Sequence, residues 1–130
     1  MGAGRWWMVV AVLGAAPAAA QDSSFRAMQH RGQQAMGVDQ YTSAHRFDVL
    51  ADGGRIELQR EAEDSAGVVA IRSHMQAITR SFKAGDFTIP GFVHDRPVPG
   101  TRVMAAKRAA ITYTYHELPR GGEEIGRAHV

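Results

Sequence analysis

Apolar positions along the chain follow first the period of a helix and then the period of a strand. Over residues 23–36, apolar and small side chains recur every three or four positions, and Gly37 follows where a helix commonly ends. Residues 44–58 alternate between apolar and polar on both sides of a turn that contains Gly53-Gly54. The pattern predicts a short first helix, from Ser23 to about Met36, followed by a β-hairpin.

A second helical pattern is longer and more regular. It runs from about Ser65 to Ala84, with Asp64 or Ser65 placed to accept hydrogen bonds from free amides at its start, and Gly85 follows its end. We expect this helix to bury one face against a sheet. Its apolar stripe consists of Val68, Ile71, Met75, Ile78 and Phe82.

The rest of the chain predicts an irregular segment and a second hairpin. The stretch Asp86 to Gly100 contains three prolines, which favour an extended, irregular course. Residues 110–117 alternate again before a Pro-Arg-Gly-Gly turn, after which we expect a returning strand. Together the elements predict an α+β fold: an antiparallel sheet of about four strands in two hairpins, with the long helix packed on one face and a short N-terminal helix alongside.

The two hairpins resemble each other. Phe47-x-x-Leu50-x-x-Gly53-Gly54 matches Tyr115-x-x-Leu118-x-x-Gly121-Gly122. The match predicts an internal repeat of strand, turn, strand and helix, although an aromatic residue, a leucine and a glycine turn are also common in unrelated hairpins.

The first 20 residues have the composition of a secretory signal peptide. Arg5 supplies the positive charge, Trp6 to Ala15 form the apolar stretch, and Ala18-Ala19-Ala20 offer a cleavage site before Gln21. We therefore expect a periplasmic or secreted protein that begins at Gln21 and has no membrane contact after cleavage. Residues 21–123 suffice for a single domain.

Residues 124–130 have the sequence Glu-Ile-Gly-Arg-Ala-His-Val, which matches the translation of a common short-read sequencing adapter. The next codon of that adapter is a stop. We expect these residues to be a non-native tail and the domain of residues 21–123 to be incomplete at its C-terminal end. The second helix of the repeat would then be missing, which would leave apolar sheet surface uncovered.

Composition excludes several classes of function. The chain contains no cysteine, so it can form neither disulfides nor thiolate metal sites. Its 15 basic and 13 acidic residues give a formal net charge of +2 without runs of like charge. We therefore expect no nucleic-acid partner, because the electrostatic footprint of such proteins is missing.

Several short motifs are spread along residues 21–123. They are Met36-Gly37-Val38-Asp39-Gln40, His45-x-Phe47, Gly53-Gly54-x-Ile56, Ile71-Arg72-x-His74-Met75, Gly85-Asp86-Phe87, His94-Asp95 and Val98-Pro99-Gly100. Together they resemble an uncharacterised family of small exported bacterial proteins. The resemblance covers most of residues 21–123 and implies no activity, but it does imply a further strand and helix beyond this point.

Two classes of function remain. The first is a binding or interaction module for an unknown ligand or periplasmic protein, with Phe92, His94 and Asp95 of the irregular segment as its recognition surface. No motif supplies a nucleophile and a base, so enzymatic activity is disfavoured and no residue is assigned a catalytic role.

The second class is a copper or zinc protein. His45, His74 and His94 are predicted to border the seam between sheet and helix, and imidazoles bind both metals. Met75 and Met104 would add thioether sulfur, which favours Cu(I). The spacing matches no metal-binding motif, and histidines bonded to backbone or carboxylate groups are the structural alternative.

Overall fold

The structure is a computed structural model that describes residues 16–129, with side chains from Gln21 onward. It shows the expected α+β arrangement, a four-stranded antiparallel sheet with helices against it. In chain order the elements are α1 (Ala16–Met36), β1 (Ser43–Leu50), β2 (Gly53–Arg60), α2 (Ser65–Lys83), α3 (Thr88–His94), α4 (Thr101–Ala106), β3 (Ile111–Leu118) and β4 (Gly121–Ala128), with 3₁₀ turns at Gln40–Thr42 and Arg108–Ala110.

The N-terminal helix ends where the sequence predicts. Gly37 follows Met36 with a φ of 73°, and its amide donates to the Gln33 carbonyl, as is common at helix ends. The helix starts earlier than Ser23, at Ala16. Most of the predicted signal peptide lies outside the described residues, and its last five residues form the start of α1. No helix in the described part of the chain is long and apolar enough to cross a membrane.

The strand order is β1-β2-β4-β3, and all neighbours are antiparallel. Each hairpin closes through a two-residue loop. In this strand order the two hairpins meet along β2 and β4. One face of the sheet is charged: Arg55 lies among Asp48, Glu57 and Glu123 there, at 2.5 to 2.9 Å. The opposite face carries the core.

The long helix α2 covers part of that core face. Asp64 caps its first turn by accepting from the Gly67 amide at 2.9 Å, which satisfies one of the free donors at the start of the helix. Its apolar stripe packs on β3 and β4 and reaches β2. The buried core consists of Val38, Leu58, Ile71, Met75, Ile78, Phe82 and Tyr113.

The two hairpins are related by a local two-fold axis. Corresponding residues of the repeat, such as Phe47 and Tyr115, lie 68 positions apart. Ile56 pairs with Glu124, the residue that corresponds to it in the second hairpin. The pair Leu58–Gly122 likewise corresponds to the pair Gly126–Gly54. The axis therefore passes between Ile56 and Glu124. Among the described helices, α2, which follows the first hairpin, makes the most extensive contact with this sheet face, and the end of α1 reaches the face only at its edge, at His45.

The segment from Asp86 to Gly100 is not irregular as predicted, because it contains α3. Asp86 accepts from the backbone amide and the hydroxyl of Thr88, which starts the helix. Pro90 lies in the first turn, where a missing amide costs no intrahelical hydrogen bond. Asp95 ends the helix in a left-handed conformation, with a φ of 53°. The sequence interpretation gave the prolines too much weight and the hydrogen bonds from Thr88 to Asp86 too little.

Candidate functional site

His45 and Met36 are in direct contact. His45 lies on β1, and its Nε2 atom is 3.3 Å from the sulfur of Met36, the last residue of α1. The residue His45 as a whole is exposed to solvent. Protein atoms around its imidazole ring nevertheless exclude part of the water, and this desolvation lowers the pKa of His45. The neutral imidazole is therefore favoured near neutral pH.

His74 lies close to this pair. It is half-buried on α2, forms a hydrogen bond to the backbone of Ala35, and interacts electrostatically with His45. Burial is the main cause that lowers its pKa, and the neighbouring His45 adds to the effect. Two of the three predicted histidines thus lie together at the junction of α1, β1 and α2.

A cleft of about 240 Å³ opens beside the His45–Met36 pair and brings in the third histidine. We call it the His–Met cleft. His94, at the end of α3, lies on its wall, and no carboxylate lines it. It is lined by Met28, Gln29, Gly32, Met36, Gln40, His45, Phe47, Val93 and His94.

The two methionines predicted as metal ligands lie elsewhere. Met75 lies on α2 and is buried in the core, and Met104 of α4 lines a different cleft. Met28 and Met36, which the sequence analysis did not select, line the cleft instead. Their spacing of eight residues on α1 is also a core-packing pattern, so the sequence carried no signal that separated them from packing methionines.

Among residues 16–129, no three His, Asp or Glu side chains come together in an arrangement that could hold a metal ion.

The predicted recognition residues Phe92, His94 and Asp95 lie at the C-terminal end of α3. Arg31 of α1 donates to the Val93 carbonyl at 2.9 Å and so fixes α3 against α1. A shallow cleft of about 390 Å³ between the two helices includes His94 and Asp95, whereas Phe92 is exposed. His94 thus belongs to both this cleft and the His–Met cleft.

A third cleft, also of about 390 Å³, lies on the core face of the sheet beside the C-terminal end of α2. We call it the sheet cleft. Phe47 and Ile56 line it on one side, and Phe82 and Tyr113 on the other. The side chain of Phe47 is 71% exposed, and that of Val49, two positions along β1, is 96% exposed. Both are apolar residues on the face that elsewhere forms the core.

Two buried polar groups in the wall of the sheet cleft have no hydrogen-bond partner. They are the hydroxyl of Tyr113 and one carboxylate oxygen of Glu124. Glu124 is only 2% exposed, and desolvation raises its pKa to about 7. The sequence analysis missed this group, because it set residues 124–130 aside as a tail.

Comparison with known proteins adds no relative. No protein-family model matches the sequence, and neither the curated proteins nor the solved structures contain a significant match to it. The resemblance to a family of exported proteins therefore stays a prediction.

Proposed function

We propose that this protein is an exported interaction module that binds an amphipathic helix on the uncovered half of its sheet. The binding surface consists of Phe47, Val49 and Ile56 around the sheet cleft. One observation carries the proposal: Phe47 and Val49 are solvent-exposed on the same face that α2 covers at β3 and β4. Apolar side chains exposed beside a cleft are typical of binding surfaces.

The local two-fold axis supports a helix as the occupant. Rotation about the axis exchanges β3 and β4, on which most of α2 packs, with β2 and β1, where Phe47 and Val49 are exposed. The image of α2 would therefore lie over Phe47. A helix that places its apolar stripe into such a groove is a common mode of recognition.

A polar anchor for such a helix is also present. On the covered half, Arg72 of α2 donates to the carbonyls of Leu118 and Gly121 at 2.8 and 3.1 Å. The two-fold axis relates these residues to Leu50 and Gly53 at the turn of the first hairpin. A docked helix with a basic residue in its middle can therefore repeat this pair of hydrogen bonds.

A tethered copy of α2 tests the surface. Residues 61–84 are appended directly after Ala128, which corresponds to Arg60, where the first hairpin leads into α2. We expect the fused helix to raise the melting temperature and to reduce binding of a hydrophobic dye, because it covers Phe47 and Val49. The control fusion carries aspartate at the three copied positions of Ile71, Met75 and Ile78 and is expected to give neither effect.

Val49 provides a second variant. Val49→Asp changes a fully exposed side chain, so it should leave the untethered protein as stable as before and remove the gain from the fusion. The same residues 61–84 added as a free peptide should shift the NMR signals of Phe47 and Val49. Unchanged dye binding, melting temperature and NMR signals would refute the proposal. A native continuation of the chain that itself forms this helix would also overturn it, since the surface would then belong to the folded domain.

Export itself is part of the proposal. Periplasmic or secreted location follows from the predicted signal peptide, and N-terminal sequencing of the protein purified from cells should read from Gln21. Recovery of the protein from the cytoplasm with Met1 intact would contradict it.

The predicted surface at Phe92, His94 and Asp95 is a second candidate region for the same interaction. It is supported by the cleft between α1 and α3 and by the exposed Phe92 ring. Phe92→Ser should weaken partner binding without lowering stability, whereas Val103→Ser, which changes another exposed apolar residue, on α4, should affect neither. Equal binding by both variants would exclude this region.

A further inference from the structure

We propose that the His–Met cleft binds one Cu(I) ion through Nε2 of His45 and the sulfur of Met36. The two atoms already lie 3.3 Å apart, and they come from different elements, β1 and the end of α1. This site lies next to the helix-binding surface proposed above, because Phe47 lines both clefts, but its metal ligands are not part of that surface.

The separation of the two atoms suits a shared metal ion. With metal bonds of about 2.0 Å to nitrogen and about 2.3 Å to sulfur, atoms 3.3 Å apart subtend an angle of about 100° at the metal. That angle lies close to tetrahedral. A shared ion can therefore replace the present contact with a small change in side-chain position.

The chemistry of the cleft selects the metal. Thioether and imidazole ligands together favour Cu(I), whereas Mg²⁺, Ca²⁺ and Mn²⁺ prefer carboxylate and carbonyl oxygen. No carboxylate lines the cleft, and the chain has no thiolate to offer. Zinc bound at the same atoms would lack both kinds of anionic ligand that it commonly uses.

The surroundings can complete the site. Met28 and His94 line the same cleft and are candidates for a third ligand. His74 stands beside His45 and interacts with it electrostatically. Neighbouring groups often orient the ligands of a metal site.

Titration with Cu(I) tests the proposal. The purified protein competes with a coloured Cu(I) chelator under anaerobic, reducing conditions, and we expect one bound ion per chain and no binding of zinc at the same concentration. The NMR signals of the His45 ring and the Met36 methyl should shift on addition of Cu(I), while those of His116, on the opposite face of the sheet, should not. Absence of binding, or shifts at other histidines only, would overturn the assignment.

Conservative variants separate ligands from packing residues. Met36→Leu and His45→Gln should each weaken Cu(I) binding about tenfold or more. Met104→Leu, which changes a methionine in the sheet cleft, should leave the affinity unchanged. Thermal melts without copper check that each variant folds. A loss of affinity with either Met28→Leu or His94→Gln assigns the third ligand, whereas normal affinity in both Met36→Leu and His45→Gln refutes the site.

Discussion

Ile56 and Glu124 face each other across the central pair of strands and occupy equivalent positions about the local two-fold axis. Both side chains point to the core face, yet one is aliphatic and the other carries a carboxyl group with one oxygen that has no hydrogen-bond partner among the described residues. Burying an unpaired carboxylate is costly, so burial raises the pKa of Glu124 to about 7. The symmetry of the sheet thus identifies the residue that fits the core least well.

Replacing this residue should stabilise the protein. Glu124→Leu removes the unpaired group and fills the wall of the sheet cleft with an apolar side chain, as Ile56 does on the other side of the axis. We expect a gain of about 3 kcal/mol at pH 8, which corresponds to a pKa raised from 4.5 to about 7. Urea unfolding of both proteins measures it.

The gain should depend on pH. The folded protein binds the Glu124 proton up to about pH 7 and the unfolded chain only up to about 4.5, so wild-type stability should fall between these values as the pH rises. Glu124→Leu should lack this fall, and the difference between the two proteins should approach a constant below pH 4.5. A difference independent of pH from 4 to 8 would show that the carboxyl group ionises freely in the folded state.

The same mismatch bears on the origin of residues 124–130. In β4 the inward position 124 is a glutamate and the outward position 125 an isoleucine, the reverse of what a strand with one buried face needs. We therefore expect the genomic sequence to specify an apolar residue at position 124. Resequencing the gene through this region decides the matter, and the same seven codons in genomic DNA would show that the tail is native.

The main elements of the fold could be predicted because their signals are local. The stripe from Val68 to Phe82 has the period of a helix, and the alternation on both sides of Gly53 has the period of a strand. The repeat also indicated that the hairpins are equivalent. It could not indicate that they meet along β2 and β4, because the order of strands depends on contacts between distant residues.

The site was harder to predict than the fold. The sequence analysis expected His45, His74 and His94 to border the seam between sheet and helix, but the contact between His45 and Met36 depends on how the end of α1 packs on β1. Periodicity also could not show that α2 covers only half of the sheet. That asymmetry leaves Val49 exposed, although its position in β1 is typical of a core residue.

Replacing Gly67 of α2 with alanine should destabilise the protein, although this change usually stabilises a helix. Gly67→Ala would normally favour a helix, but a methyl group there overlaps the Asp64 carboxylate that caps the helix and ion-pairs with Arg60. The cap must then move and lose its hydrogen bond to the Gly67 amide. We expect Gly67→Ala to lower the melting temperature by about 5 °C in a thermal scan.

Gly91 in α3 is the matched control for Gly67. A methyl group at Gly91 has no neighbour closer than the Arg96 carbonyl at 3.8 Å, and the residue has no positive φ. Gly91→Ala should therefore raise the melting temperature by about 3 °C, because it favours the helix without steric conflict. Stabilisation by both substitutions would show that the Asp64 cap contributes little.

Arg55 should matter more than any other cation on the charged face. Its guanidinium group donates hydrogen bonds to Asp48, Glu57 and Glu123, and these contacts raise the pKa of Arg55. Arg55→Met would leave three neighbouring carboxylates without their shared counterion, so we expect the melting temperature to fall by about 5 °C at pH 7. Arg46→Ala, which removes an exposed arginine that pairs with Asp48, should change the melting temperature by less than about 2 °C. Equal losses from the two variants would show that the contact of Arg55 with three carboxylates adds nothing to stability.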